Sequence, residues 1–205
     1  GTVKGEGTKS DKIIIKGSGS LFEGTSNASP KLILRHNEIV RPADPYDSNT
    51  LGWGQFTFEI SDSLLQNVTI AGGIRVNFRA ERNTFINFGI LNVTEWGEQI
   101  TPNYIVNSCF LGRPPTIWYH SAIYGGSFVL KNNSIYGVPS GIFEHNLKIT
   151  DSSSNIDASN NYWDGLEEAD VRQFVYDKTV DVAIEGTVQI LPMLTEPHPG
   201  TPDCN

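Results

Sequence analysis

The stretch "NIDASNNYWDG", residues 155–165, runs two asparagines into a tyrosine, a tryptophan, an acid and a glycine. It is the last of a series. An asparagine followed closely by isoleucine or a bulky residue also occurs at Asn37 in "HNEI", Asn83 in "RNTF", Asn107 in "NSCF" and Asn133 in "NNSI". From Asn37 to Asn161 the spacings are 46, 24, 26 and 28, the first about twice the others, as if one coil lacked its marker. A period in the low-to-middle twenties, built of short strands and turns, fits a β-solenoid coil of three strands and three turns. It is too long for a hexapeptide helix and too short for a propeller blade. In such a coil equivalent residues stack one strand spacing apart. Stacked asparagines can pass amide hydrogen bonds along the stack. They also tolerate the left-handed backbone that a tight turn needs. The expectation is a ladder of Asn83, Asn107, Asn133 and Asn161 at one turn, with the apolar followers filling the interior.

The rest of the chain agrees. Runs such as "KIIIKG", "KLILRHNEIV", "QFTFEI", "NVTIAGGIRVNF", "NYIVNSCFLG", "SFVLKNNSIYG" and "TVQILP" read as strands bounded by turn residues. Twenty glycines and a single methionine suit strands and turns. One segment reads as helix, "DGLEEADVRQFVYD", with Asp164 as N-cap and an apolar stripe of Leu166, Ala169, Val171, Phe174 and Val175. With 205 residues and a net charge of -8, the chain is one domain and a poor partner for nucleic acid. No apolar run approaches ~18 residues, so no membrane insertion is expected. The first residues carry no charged n-region with an apolar h-region, so a signal peptide was removed, lies upstream or never existed. Cys109, in a strand-like run, reads as a buried thiol. Cys204, in a polar tail, needs a partner, either outside this sequence or Cys109 itself.

Two segments carry a family resemblance. "GTVKGEGTKSDKIIIKG" is similar to the "G-T-L-x-A-x-G-T-x-x-x-P-I-x-F" coil of right-handed parallel β-helices of the PbH1-repeat type, with Lys12 where proline is usual. "IDASNNYWDGLEEADVRQFVYD…EGTVQILPMLTEP" resembles their closing "I-D-A-S-N-N-Y-W-G" coil, short helix and final strand, with Asp164 inserted before the glycine. The resemblance implies an all-β, right-handed parallel β-helix with coils over 1–163 and a cap of helix, strand and tail over 164–205. That first coil normally sits inside a longer helix, so either earlier coils are expected to precede it or the sequence begins at a coil boundary. Trp163 is then the aromatic that closes the solenoid, because an open end exposes a strand edge and a section of core.

Fold does not decide function. Parallel β-helices include lyases, polygalacturonases, epimerases and depolymerases, yet the "NTD", "DD" and "GHG" motifs of polygalacturonases are missing here. Hydrolysis needs two opposed carboxylates, and the adjacent acids Glu167 and Glu168 fall on the cap helix. Arg41 and Arg113 match a lyase base by residue type only. His36, His120, His145 and His198 have no metal-ligand spacing. No cofactor or metal motif is present. The expectation is therefore a non-catalytic, secreted or cell-surface domain for adhesion or recognition, similar to β-helix modules of large animal surface proteins at cell junctions. Its partner would be a protein or a glycan. Trp53, Trp96, Trp118 and Tyr119, expected in loops or at loop ends, are the candidate binding aromatics. Asn67, Asn92 and Asn132 are candidate glycosylation sites. A carbohydrate-active enzyme or a carbohydrate-binding solenoid is the alternative. The enzyme would show clustered Asp, Glu, Arg or Lys in a cleft on one sheet, and the binder coplanar exposed tryptophans.

Overall fold

The structure, a computed structural model, describes residues 2–17, 22–23, 31–42, 52–53, 56–71, 76–95, 103–112, 116–121, 127–137, 147–149 and 154–204. They form an all-β parallel solenoid whose strands stack into three main walls. The first wall runs β1 (Thr2–Glu6), β4 (Lys31–Arg35), β7 (Phe56–Ser61), β10 (Val76–Glu81), β13 (Asn103–Val106), β16 (Ser127–Lys131), β19 (Asn155–Asp157) and β21 (Val188–Gln189). The second runs β2 (Ile13–Lys16), β5 (Asn37–Val40), β8 (Leu64–Gln66), β11 (Thr84–Ile86), β14 (Cys109–Leu111) and β17 (Ser134–Ile135). The third runs β9 (Thr69–Ala71), β12 (Gly89–Glu95), β15 (Thr116–Ser121), β18 (Leu147–Ile149) and β20 (Val175–Tyr176). A short pair, β3 (Phe22–Glu23) and β6 (Gly52–Trp53), stands apart.

The corner between the first and second walls sets the period. Its first residue is left-handed in six coils: His36, Asp62, Arg82, Asn107, Asn132 and Asn160 have φ between 52° and 58°. The next residue is the ladder: Asn37, Ser63, Asn83, Ser108, Asn133 and Asn161, all buried. Each backbone N–H donates to the side-chain oxygen one coil on. Asn37 donates to Ser63 Oγ (3.0 Å), Ser63 to Asn83 Oδ1 (3.0 Å) and Asn83 to Ser108 Oγ (3.1 Å). Ser108 donates to Asn133 Oδ1 (2.9 Å) and Asn133 to Asn161 Oδ1 (2.9 Å). Two corrections follow. Asn107 is not in the ladder; it holds the left-handed position and Ser108 takes its place. The coil without a marker is marked by Ser63, whose hydroxyl reaches the same neighbours. Paired positions 13, 37, 63, 83, 108, 133 and 161 give coils of 24, 26, 20, 25, 25 and 28 residues.

Strand alternation puts one column of each wall inside. On the first wall these include Leu32, Phe58, Phe78, Phe128, Ile156 and Val188. On the second they are Ile39, Leu65, Phe85, Phe110, Ile135 and Trp163. Stacking one coil on the next brings like rings together: Phe58 and Phe78 centroids lie 5.5 Å apart, Phe85 and Phe110 4.9 Å. A second, shorter stack forms at the next corner. Asn67 Nδ2 donates to the Arg41 carbonyl (2.9 Å) and Asn87 Nδ2 to Asn67 Oδ1 (3.0 Å). Gly112 continues it at φ 85°, where a Cβ would sit 2.5 Å from Asn87 Oδ1.

Trp163 is 2% exposed and stands over Ile135 in the interior column. The helix after it is shorter than its apolar pattern predicts. α1 spans only Glu168–Arg172, with Glu167 as N-cap and a capping box to Asp170. Asp164 is not the cap; it and Gly165 are left-handed (φ 51° and 75°) in the turn that lifts the chain off the last coil. Val171, Phe174 and Val175 are buried, but Val175 already belongs to β20. The stripe is therefore shared between one helical turn and a strand.

The tail then returns over the outside of the second wall. Leu194 bridges Tyr162, His198 N–H donates to Ser134 Oγ (3.0 Å), and Thr201 Oγ1 lies 3.1 Å from the same oxygen. Cys109 and Cys204 form a disulfide, with Cα atoms 5.9 Å apart. Cys109 is thus no free thiol. Its register neighbours Thr84 and Ser134 belong to the outward column of the second wall, and beneath the tail its own exposure falls to zero.

Candidate functional site

Stacked coils bring residues about twenty positions apart into contact. On the outer face of the first wall, the register aligns Ile33, Glu59, Arg79 and Tyr104 in one column and Arg35, Ser61 and Glu81 in another. Together with Asp62 and Arg82 at the corner they line an open groove of about 420 Å³. Its charges are three arginines and three carboxylates, each engaged. Asp62 accepts from both Arg82 Nε (2.8 Å) and Nη2 (3.0 Å), a bidentate pair. Arg82 Nη1 also reaches Glu81 (2.5 Å). Glu59 lies between Lys31 (2.8 Å) and Arg79 (3.4 Å), and Arg35 faces Glu6 (3.6 Å).

The hydrogen bonds from Arg82 hold the Asp62 carboxyl below the ordinary carboxylate range, against the opposing effect of partial burial. The same bonds raise Arg82. A general acid for glycoside cleavage needs the opposite, a carboxyl whose pKa is pushed up. Asp62 is therefore built to accept hydrogen bonds and not to give up a proton. Arg41, a lyase base by residue type, is 2% exposed. Burial lowers its pKa, and it does not line the groove. Among the described residues no group of three His, Cys, Asp or Glu side chains is placed to hold a metal ion.

A second hollow, about 500 Å³, opens between the tail and the outside of the second wall. Lys9, Lys12, His36, Leu64 and Thr84 form one side and Gly200–Asp203 the other; Asp62 and Arg82 border both hollows.

The expected binding aromatics fall elsewhere. Trp53 lies in β6, and Trp118 and Tyr119 lie in β15, in strands and not in loops. Only their backbone is described. Trp96 and Arg113 lie outside the described residues. Among the sequons, Asn67 has its amide in the second asparagine stack, where a glycan would leave Nδ2 a single N–H for its bond to the Arg41 carbonyl. Asn132 is half-buried at the left-handed corner, and Asn92 is in β12. Glu167 and Glu168 are exposed at the start of α1, where acids favour the helix. The groove charges escape sequence reading because they become neighbours only through the register. The one available signal is acids and arginines recurring at the same place in "EIS", "RAER" and "ILRH".

No family model matches the chain, and no curated protein or solved structure matches it either.

Proposed function

We propose that this solenoid is a non-catalytic extracellular recognition domain that binds a protein or glycan through polar contacts on its first wall. The observation that carries this reading is the groove in which three arginines and three carboxylates are all ion-paired, with Tyr104 at its edge. Such a surface offers directional donors and acceptors at no net charge. It suits a hydrogen-bonding partner better than a polyanion. The Cys109–Cys204 disulfide supports an oxidising, extracellular setting. The sequence resemblance to PbH1-type modules of animal surface proteins, with the insect tricellular-junction protein Bark beetle (Anakonda) as an example, supports a place at cell junctions. The test is binding of the folded domain to a glycan array and to cell surfaces. Arg79→Ala with Tyr104→Ala should abolish it. A separate Trp53→Ala/Trp96→Ala/Trp118→Ala variant asks whether the aromatics singled out in the sequence contribute. Full binding by the groove variant would refute the proposed site.

The second reading is a carbohydrate-active enzyme, favoured by the same clustering of charge on one parallel sheet. Release of reducing or unsaturated ends from pectin, alginate or a glycosaminoglycan would establish it. The lowered pKa of Asp62 argues against it as the general acid of such a reaction.

A further inference from the structure

The tail follows one outward column of the second wall, with Leu194 at Tyr162, His198 and Thr201 at Ser134, and Cys204 at Cys109. Thr84 and Leu64 continue that column, and both line the hollow of about 500 Å³. Ligand clefts span about 300–1,000 Å³. Gly200–Asp203 form one side of it, fixed by the disulfide at Cys204 and the hydrogen bonds to Ser134. Lys9, Lys12 and His36 stand on the other. His36, Leu64 and Thr84 come from three successive coils, so the hollow lies on the flank of the solenoid and not on its end.

The lining charges differ in how they are engaged. Arg82 and Asp62 satisfy each other in their bidentate pair. Lys12 reaches Glu38 (2.8 Å), which uses one of its three N–H groups. Lys9 makes no ion pair among the described residues. Two ammonium groups with donors to spare thus face an apolar patch of Leu64 and Pro202, on a chain whose net charge is -8. No Phe, Tyr or Trp lines the hollow among the described residues, so it has no large ring on which the face of a sugar could stack.

We propose that the disulfide-held tail and the second wall together form a binding site for a short acidic peptide segment of a partner protein. A carboxylate of that segment pairs with Lys9 and Lys12, and a neighbouring aliphatic side chain rests on Leu64 and Pro202. Asp203, the acid on the tail side, accepts from a peptide N–H and turns away a second carboxylate. The tail is one side of the site, so the Cys109–Cys204 disulfide keeps the site assembled. This inference goes beyond the first-wall groove and is independent of what that groove binds.

NMR titration of isotope-labelled protein tests it. The probes are short acetylated and amidated peptides of alternating leucine and glutamate, with leucine–glutamine and leucine–lysine peptides as controls. The acidic peptides should shift the signals of Lys9, Lys12, Leu64, Thr84 and Gly200–Asp203, and the controls should not. Lys9→Glu/Lys12→Glu should weaken binding at least about tenfold, because it reverses the charge that the carboxylate meets. Raising salt from about 0.05 to about 0.5 M should weaken it in the same direction. Cys204→Ser, its fold verified by circular dichroism, should lose the site while the first-wall groove keeps its own ligand. Equal binding of the glutamine peptides, shifts confined to Arg35, Arg79 and Tyr104 of the groove, or full affinity in Cys204→Ser would overturn the proposal. So would an acidic oligosaccharide that shifts these flank residues where no acidic peptide does, since the site would then be one for glycans.

Discussion

Val3, in the interior column of the first wall, and Trp163, in that of the second, stand at opposite ends of the described solenoid, yet one is 55% exposed and the other 2%. At the closed end an indole fills the section of core, one helical turn and β20 cover it, and the tail is tied back by a disulfide. At the other end the first described coil pairs with the coil beneath it, and Lys12 and Glu6 reach Glu38 and Arg35 there. The ladder shows the same contrast. Asn133 donates to Ile105 and Asn161 and accepts from Ser108. Asn37 donates to Gly5 and Arg35, but its buried Oδ1 has no partner, because the backbone N–H of Ile13, which stands above it in the ladder, donates to the His36 carbonyl instead (3.3 Å). The ladder is thus fully bonded at Asn133 and one bond short at Asn37.

Removing the closure should have the largest effect. Trp163→Ala should cost about 3–5 kcal/mol, read as a fall in thermal midpoint. An unchanged midpoint would mean that the cap is held by other contacts. Cys204→Ser should cost about 2–4 kcal/mol by freeing a tail that closes a 95-residue loop. Protease should then clip the chain near residue 200 first, and an untouched tail would show that its hydrogen bonds to Ser134 suffice. The two ladder asparagines separate the ends directly. Asn133→Ala should cost about 3 kcal/mol in urea unfolding, since it orphans the buried Ser108 N–H and removes the amide donor to the Ile105 carbonyl and Asn161 Oδ1. Asn37→Ala should cost only about 1 kcal/mol, because it also removes an unsatisfied oxygen. Equal losses would erase the distinction between the ends. The smallest change is a gain. Ile13→Asn supplies an amide donor to Asn37 Oδ1 and should stabilise by about 0.5–1 kcal/mol, with slower hydrogen exchange in the first coil.

The fold was legible because the ladder needs an amide or hydroxyl at each coil and asparagine is easily seen. Serine does the same work less visibly, so Ser63 went unread. Asn107 misled because asparagine suits the left-handed position as well as the ladder. The distance to the interior aromatic distinguishes them: Phe110 follows Asn107 by three residues, whereas Phe85 follows Asn83 by two. The disulfide depended on the tail's direction, which no local pattern encodes. The helix was overextended because buried residues of a short turn and of the strand after it mimic one apolar stripe.

The left-handed corner has a use beyond setting the coil. Histidine, aspartate, arginine and asparagine all occupy it with nearly one φ, although such a conformation costs a non-glycine residue about 1–2 kcal/mol. The hydrogen-bonded neighbours on either side dictate the backbone there, so the side chain's identity is left open. The molecule therefore carries a ruled line of interchangeable positions, about 4.8 Å apart along its axis. Sequence change can write and rewrite a linear pattern of chemical groups on that line without altering the scaffold beneath.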